Sequence, residues 1–258
     1  MAAALVKSLK RNWLLWLVVA FVVILAAAFF AGFRPGPGLT LIRVGTLVVA
    51  DIPAQTDVFV DQEYRGTSNG SPLKASLVPG THSVIVDAPG MQPWNTVLTI
   101  ESKTDLAVSP ILVPKAPERA LLTGEAATAA ADAIRATVLP TEAAPLLVGC
   151  NAISISNNRV IAAPASGCDA PEYLCSEGVC APTIVYSPAS PIRSVIPFPG
   201  RTDAILVATG EWVNILDIDP RNPQFFAPLG RGTAPFIAAE DEDSIYLSDK
   251  DKFYSFSL

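Results

Sequence analysis

The chain has 258 residues, half of them hydrophobic, with 24 acidic and 18 basic side chains and a net charge of −6. That is material for a real core and room for one or two domains of about 150 residues each. Positions 1–33 hold Lys7, Lys10 and Arg11 and no acid, so residues 34–258 carry 15 bases against 24 acids, a sign that argues against nucleic acid and anionic membrane surfaces as partners of the body.

Residues 13–33 are an uncharged run of 21, WLLWLVVAFVVILAAAFFAGF. As a helix rising about 1.5 Å per residue the run is roughly 31 Å long, close to the hydrocarbon thickness of a bilayer. Trp13 and Trp16 suit the interface. The three preceding bases place a cytoplasmic tail at 1–12, a single transmembrane helix at 13–33 and everything after it outside the cytoplasm. A cleaved signal peptide is the alternative, allowed by the basic start and Ala26-Ala27-Ala28, but its apolar stretch usually has about 7–15 residues. Arg34-Pro35-Gly36-Pro37-Gly38 stops the helix and opens a tether over 34–44.

Residues 45–115 read as short strands, at 45–51, 57–60, 83–86, 96–100 and 106–113. Turn signals fall between them at Asn69-Gly70, Pro79-Gly80 and Pro89-Gly90. Val58 and Val60 alternate onto one face, and the whole predicts a small β-sandwich. The order Gly45-Thr46-Leu47-Val48-Val49, Pro53, Val58-Phe59-Val60-Asp61, Gly66-Thr67, Pro72-Leu73, Leu77-Val78-Pro79-Gly80-Thr81-His82-Ser83-Val84 and Gly90-Met91-Gln92-Pro93-Trp94 resembles the PEGA domain. The resemblance implies a β-sandwich of cell-surface proteins that serves interaction and not catalysis. Pro53-Ala54-Gln55-Thr56 replaces the four letters that name the family, Gln62 stands where it usually has Gly, and residues 68–71 are an insertion.

Residues 116–145 are rich in Ala and Pro and read as a linker with one short, marginally packed helix near 124–138. Strand patterns return over 146–258 with an internal repeat. At a shift of 40, Ile196 meets Phe236, Ile205-Leu206-Val207 meets Ile245-Tyr246-Leu247, and Val213, Leu216 and Ile218 meet Phe253, Phe256 and Leu258. A stretch from Ile153 to Ile161 looks like the same hairpin displaced by about 52. A strand-built period near 40 predicts β-propeller-like blades. Residues 146–258 hold fewer than three, whereas closed propellers have about four to eight; the same repeat could build a sandwich. An unclosed arc leaves strand edges that pair with other chains, so the expected partner edge is Phe253, Phe256 and Leu258. The layout also resembles membrane-anchored PEGA proteins that end in incomplete propeller-like repeats. The expected fold class is therefore all-β outside the membrane, a small sandwich plus propeller-like repeats, behind one N-terminal transmembrane helix.

Cys150, Cys168, Cys175 and Cys180 all lie in the outer region, and an even count in an oxidising compartment favours disulfides. Three pairings are possible; the short Gly-containing loop favours Cys175–Cys180, with Cys150–Cys168 as the other bond. Zinc would want closer Cys spacing or added His. His82, the one histidine, reads as a half-exposed strand residue, and without a second His neither a Ser-His-Asp triad nor a His-ligated metal has its parts. Glu240-Asp241-Glu242-Asp243 and Asp249-Lys250-Asp251 match no calcium loop and read as solvated turns. Asn69-Gly70-Ser71 fits a glycosylation acceptor but equally a plain turn. Trp94, Trp212 and Tyr246 are candidates for stacking on a glycan. The expectation is a non-enzymatic, single-pass envelope protein without cofactor or metal. Its outer surface would bind a protein partner or a second copy, with a glycan as the alternative ligand.

Overall fold

The computed structural model describes residues 13–30, 32–35, 41–176, 178–221, 223–240 and 244–257. The expected cytoplasmic tail, Gly36 to Gly38, Asp241 to Asp243 and Leu258 lie outside the described residues.

Helix α1 (Trp13–Phe30) has 18 residues, about 27 Å at the usual rise. Among the described residues no helix is long and apolar enough to cross a membrane. The helical part stops short of the uncharged run because the chain turns at Gly32, with φ at 82°. It then enters β1 (Phe33–Pro35), which pairs antiparallel with β2 (Leu41–Arg43). The expected tether over 34–44 is thus partly a two-stranded ribbon, with the Arg43 guanidinium 5.6 Å from the centre of the Phe33 ring.

The sandwich follows. β3 (Gly45–Val49), β6 (Leu73–Leu77) and β9 (Asp105–Val108) form one sheet, with β3 central and parallel to β9. β4 (Ala54–Val60), β5 (Glu63–Asn69), β7 (Gly80–Asp87) and β8 (Trp94–Ile100) form the other, in the order β5-β4-β7-β8. Period-two burial does the packing: Leu47, Val49, Val58, Val60, Val84 and Val86 all point inward and are fully buried. Gly45 is required by contact, since a Cβ there would lie 2.3 Å from the Glu101 carbonyl oxygen.

Three four-stranded antiparallel sheets make up the rest. The first joins β11 (Leu146–Val148), β12 (Asn151–Ser156), β13 (Arg159–Pro164) and β16 (Thr183–Tyr186). A ribbon of β14 (Cys175–Ser176) and β15 (Val179–Cys180) is inserted before β16. The second is a meander of β17 (Ile192–Pro197), β18 (Ala204–Thr209), β19 (Trp212–Asp217) and β20 (Phe226–Arg231). The third is β21 (Phe236–Ala239), β22 (Ser244–Asp249), β23 (Lys252–Ser257) and, from far back in the chain, β10 (Arg119–Leu121). β18 and β19 recur as β22 and β23 at a displacement of 40 residues at both ends.

The second sheet packs between the other two. Leu206, Val213 and Ile215 join Ile237, Ile245, Leu247 and Phe256 of the third sheet, while Ile205, Val207 and Leu216 join Ile153, Val160 and Val185 of the first. β18 is accordingly buried at all six positions and reads as an unbroken apolar run, as a strand covered on both faces must.

Two expectations are corrected here. The expected partner edge is not open along β23: Arg119, Ala120 and Leu121 pair with Phe256, Ser255 and Tyr254. Nor do residues 116–145 behave as a linker. α2 (Gly124–Ala136) packs on β21, β22 and β23 with Ala130 fully buried; its small side chains, which offer little area, let the helix lie close to the sheet. One continuous core also runs from Leu47, Trp94, Ile111 and Val113 of the sandwich side into the second and third sheets.

Candidate functional site

Two concave surfaces collect the chemistry. The first is a groove of about 400 Å³ where β16, the connection to β17, the β18–β19 turn and β20 meet. The Tyr186 and Phe226 rings lie 5.5 Å apart, tilted by 36°. Trp212 and Phe226 are 44% and 47% exposed, and the Arg231 guanidinium sits 5.3 Å from the Trp212 ring centre while pairing with Glu211. Burial pushes the Tyr186 phenol up from its ordinary range. Asn214 lines the same groove at 5% exposure. The strand register shifts beside it, and Asn214 faces Pro228, which has no N–H to offer. An amide that both donates and accepts is thus set among aromatic and proline surfaces, which suits an apolar ligand carrying a polar group.

The second is a cleft of about 790 Å³ between the sandwich and one end of the sheets. Trp94, Thr96 and Leu98 of β8 and Ala107 and Val108 of β9, the edge strands of the two sandwich sheets, form one wall. Opposite them stand the β11–β12 turn, the β17–β18 turn and the end of β19. The turns meet because Gly149, at φ 57°, leaves no room for a side chain: a Cβ would lie 2.7 Å from the Thr202 carbonyl oxygen. Arg201 spans the cleft, donating to both Asp203 oxygens at 2.8 and 2.6 Å and to the carbonyls of Ser109 and Pro110 at 2.8 and 3.2 Å. Asp217 accepts the Asp219 N–H at 2.9 Å. Burial, aided by the carboxylates of Asp203 and Asp219, pushes its carboxyl up to about 7 despite that hydrogen bond and Arg201. Tyr173 donates to the Asn151 side chain, and burial, with Asp219 and Asp217 nearby, raises its phenol.

The four cysteines pair as Cys150–Cys168 and Cys175–Cys180. The second bond joins residues that face each other across the β14–β15 ribbon. Phe253 and Phe256 do not lie on an open edge. β23 is paired on both sides, Phe256 is 2% exposed, and Leu258 is outside the described residues. The edge strands of that sheet are β10 and β21.

His82 is buried, not half-exposed. Its Nδ1 lies 2.7 Å from Asp61 Oδ2 and its Nε2 2.7 Å from the Val78 carbonyl oxygen. Trp94 is buried too, so of the three aromatics named for stacking Trp212 is the one with a large exposed face. Asn69 Oδ1 accepts the Ser71 N–H, the turn reading of that motif. No group of three or more metal-ligating side chains is assembled among the described residues.

The two sheets at 45–49, 54–60 and onward to 108, with their connection to 115, decide one comparison. Residues 44–115 match the PEGA domain. The matched segment is just over a quarter of the chain and coincides with the sandwich. No curated protein matches the chain. Among solved structures, a DUF3823 family protein from Bacteroides ovatus aligns over 83% of this chain and 96% of its own, at 10% identity and a TM-score of 0.20. A likeness that weak carries no argument about the PEGA-matched body or the sheets that follow it.

Proposed function

We propose that this is a non-enzymatic, membrane-tethered envelope protein. In this reading α1 sits in the bilayer, and the body beyond it, outside the cytoplasm, recognises a protein partner through the aromatic groove. The tether rests on α1. Its large apolar side chains are exposed by 45% to 88% all round the helix, and a helix apolar on every face needs an apolar surrounding. At about 27 Å the described helix is a little short for a bilayer of roughly 30 Å, a mismatch that local thinning absorbs at a fraction of a kcal/mol per Å. Lys7, Lys10 and Arg11 before it favour a cytoplasmic start, and two disulfides fit an oxidising compartment.

The PEGA-matched sandwich then serves as spacer between tether and sheets. The 40-residue recurrence of β18–β19 in β22–β23 supports reading the three sheets as blade-like units of a propeller-like arc. Recognition rests on the groove, where rings supply area and the Asn214 amide supplies direction. A glycan is the second reading, favoured by that same amide beside the exposed Trp212.

Alkaline carbonate should leave the full chain in the membrane pellet; release of intact chain into the supernatant refutes the tether. Crosslinking on intact cells should capture a protein that Trp212→Ala and Asn214→Leu both lose. Loss of a bound oligosaccharide instead would favour the glycan.

A further inference from the structure

Four carboxylates border the cleft, and three are answered within the protein. Asp51 accepts the Ser109 hydroxyl at 2.6 Å, Asp203 is held by Arg201, and Asp219 by Arg221. Asp217 differs: its side chain accepts the Asp219 N–H and forms no ion pair among the described residues. Arg201, the cation that lines the cleft, is committed to Asp203 and to the carbonyls of residues 109 and 110. A second observation is independent of the acids. Trp94 is 5% exposed and lines the same cleft, and its buried indole N–H meets no acceptor. Buried polar atoms are rarely left so in the absence of a ligand or water.

One cleft therefore carries a carboxylate without a cation and a donor without an acceptor, in surroundings that repel anions. An organic cation beside a carbonyl satisfies both needs. We propose that the cleft binds a basic side chain of a polypeptide, with its ammonium or guanidinium against the Asp217 carboxylate and a carbonyl of the same segment accepting from Trp94. Charge complementarity supports this occupant over a neutral one.

The groups around Asp217 are Asp203 and Arg201 from the β17–β18 turn, Asp219 and Arg221 beyond β19, Tyr173 from the 3₁₀ turn of residues 172–174, and Asp51 from the sandwich. Of these only the two arginines are cations, and both are paired. Because its carboxyl titrates near 7, a bound cation favours the ionised form, so binding releases a proton and strengthens as pH rises.

The test is calorimetry on the full chain in detergent with the peptide Gly-Gly-Lys-Gly-Gly, acetylated at its N-terminus and amidated at its C-terminus so that the lysine is its one charge, and with the Nε-acetylated form of the same blocked peptide. The lysine peptide should bind several-fold more tightly at pH 8 than at pH 6. Titration in two buffers of different ionisation heat should show proton release, and the acetylated peptide should bind at least tenfold more weakly. Asp217→Asn should remove the preference, while Glu142→Gln, at an exposed position outside both concave surfaces, should keep it. The proton-release measurement needs no variant, so a misfolded Asp217→Asn leaves the test intact. Equal binding of the two peptides, a pH-independent affinity, no binding at millimolar peptide, or preference for a neutral oligosaccharide each overturns the proposal. None of these outcomes bears on the carbonate test of the tether.

Discussion

Gln62 occupies the second place of the two-residue turn between β4 and β5 at φ 65°, after Asp61 at φ 53°. Left-handed backbone is strained for a residue with a Cβ, so Gln62→Gly should raise stability by about 0.5–1 kcal/mol, read from the urea midpoint. An unchanged or lower midpoint would show that the Gln side chain contributes something the turn does not reveal. Asp61 in the same turn is fixed by His82, whose hydrogen bond holds the carboxyl below its ordinary range, helped by the Ser83 N–H. A lowered folded-state value means that the interaction stabilises above the unfolded value of about 3.9 and is lost as pH falls through the folded one. Melting temperature should therefore drop more steeply below about pH 4 in the native chain than in Asp61→Asn. Parallel acid profiles would remove Asp61 from the account. The unexpected burial of His82 has a plain cause. Its position in the strand is inward, and the two acceptors that make this tolerable, Asp61 and Val78, come from a turn 21 residues earlier and a carbonyl just before the strand. Alternation signalled the inward face, but a single histidine among threonines and serines did not announce its partners.

At the scale of elements, the strands were the most legible part. Alternation located β4, β7 and β8, and the 40-residue shift located β18, β19, β22 and β23 because both repeats bury matching apolar positions, Ile205 with Ile245, Val207 with Leu247 and Leu216 with Phe256. What remained hidden was whatever pairs across a long separation. β10 is three exposed residues, Arg-Ala-Leu, too short and too plain to mark a strand, yet it completes a sheet whose other members lie more than a hundred positions on. The same distance hid the cleft, since Trp94, Tyr173, Arg201 and Asp217 share no motif. Asn214 alone had a local trace, as the one polar residue inside the apolar stretch Val213 to Leu216. Ala120 faces Ser255 and Leu122 donates to the Phe253 carbonyl, so the antiparallel alternation makes Ala120 a donor to β23 as well. Ala120→Pro removes that bond and should destabilise the protein by about 2–3 kcal/mol. Hydrogen exchange should quicken in β22 and β23 while β12 and β13 stay protected. Uniform acceleration would mean that β10 supports the whole body, and no change would mean that the pairing contributes little.

For the whole molecule, the shared core replaces the picture of two bodies on a linker. Heating the disulfide-bonded protein should give one cooperative transition for sandwich and sheets together, because Leu47 and Phe256 belong to one packed cluster. Two resolved calorimetric peaks would contradict this. The disulfides act on the same equilibrium. Cys150–Cys168 closes 18 positions and Cys175–Cys180 only five, so replacing the first pair by serine should cost about 3 kcal/mol and the second about 2. The order of the two chemical-denaturation midpoints is the check. The closing strand β10 also sets a timetable. A chain made from its N-terminal end presents residues 119–121 early, and their partners at 254–256 follow only after some 130 further residues have been made. At roughly 5–20 residues per second, the β10 segment waits on the order of ten seconds with its hydrogen-bonding groups facing water. Completion of the third sheet thus reports that synthesis has run past Phe256. Chains interrupted before β23 leave that segment open to proteases, which makes the strand a marker of copies extended through β23.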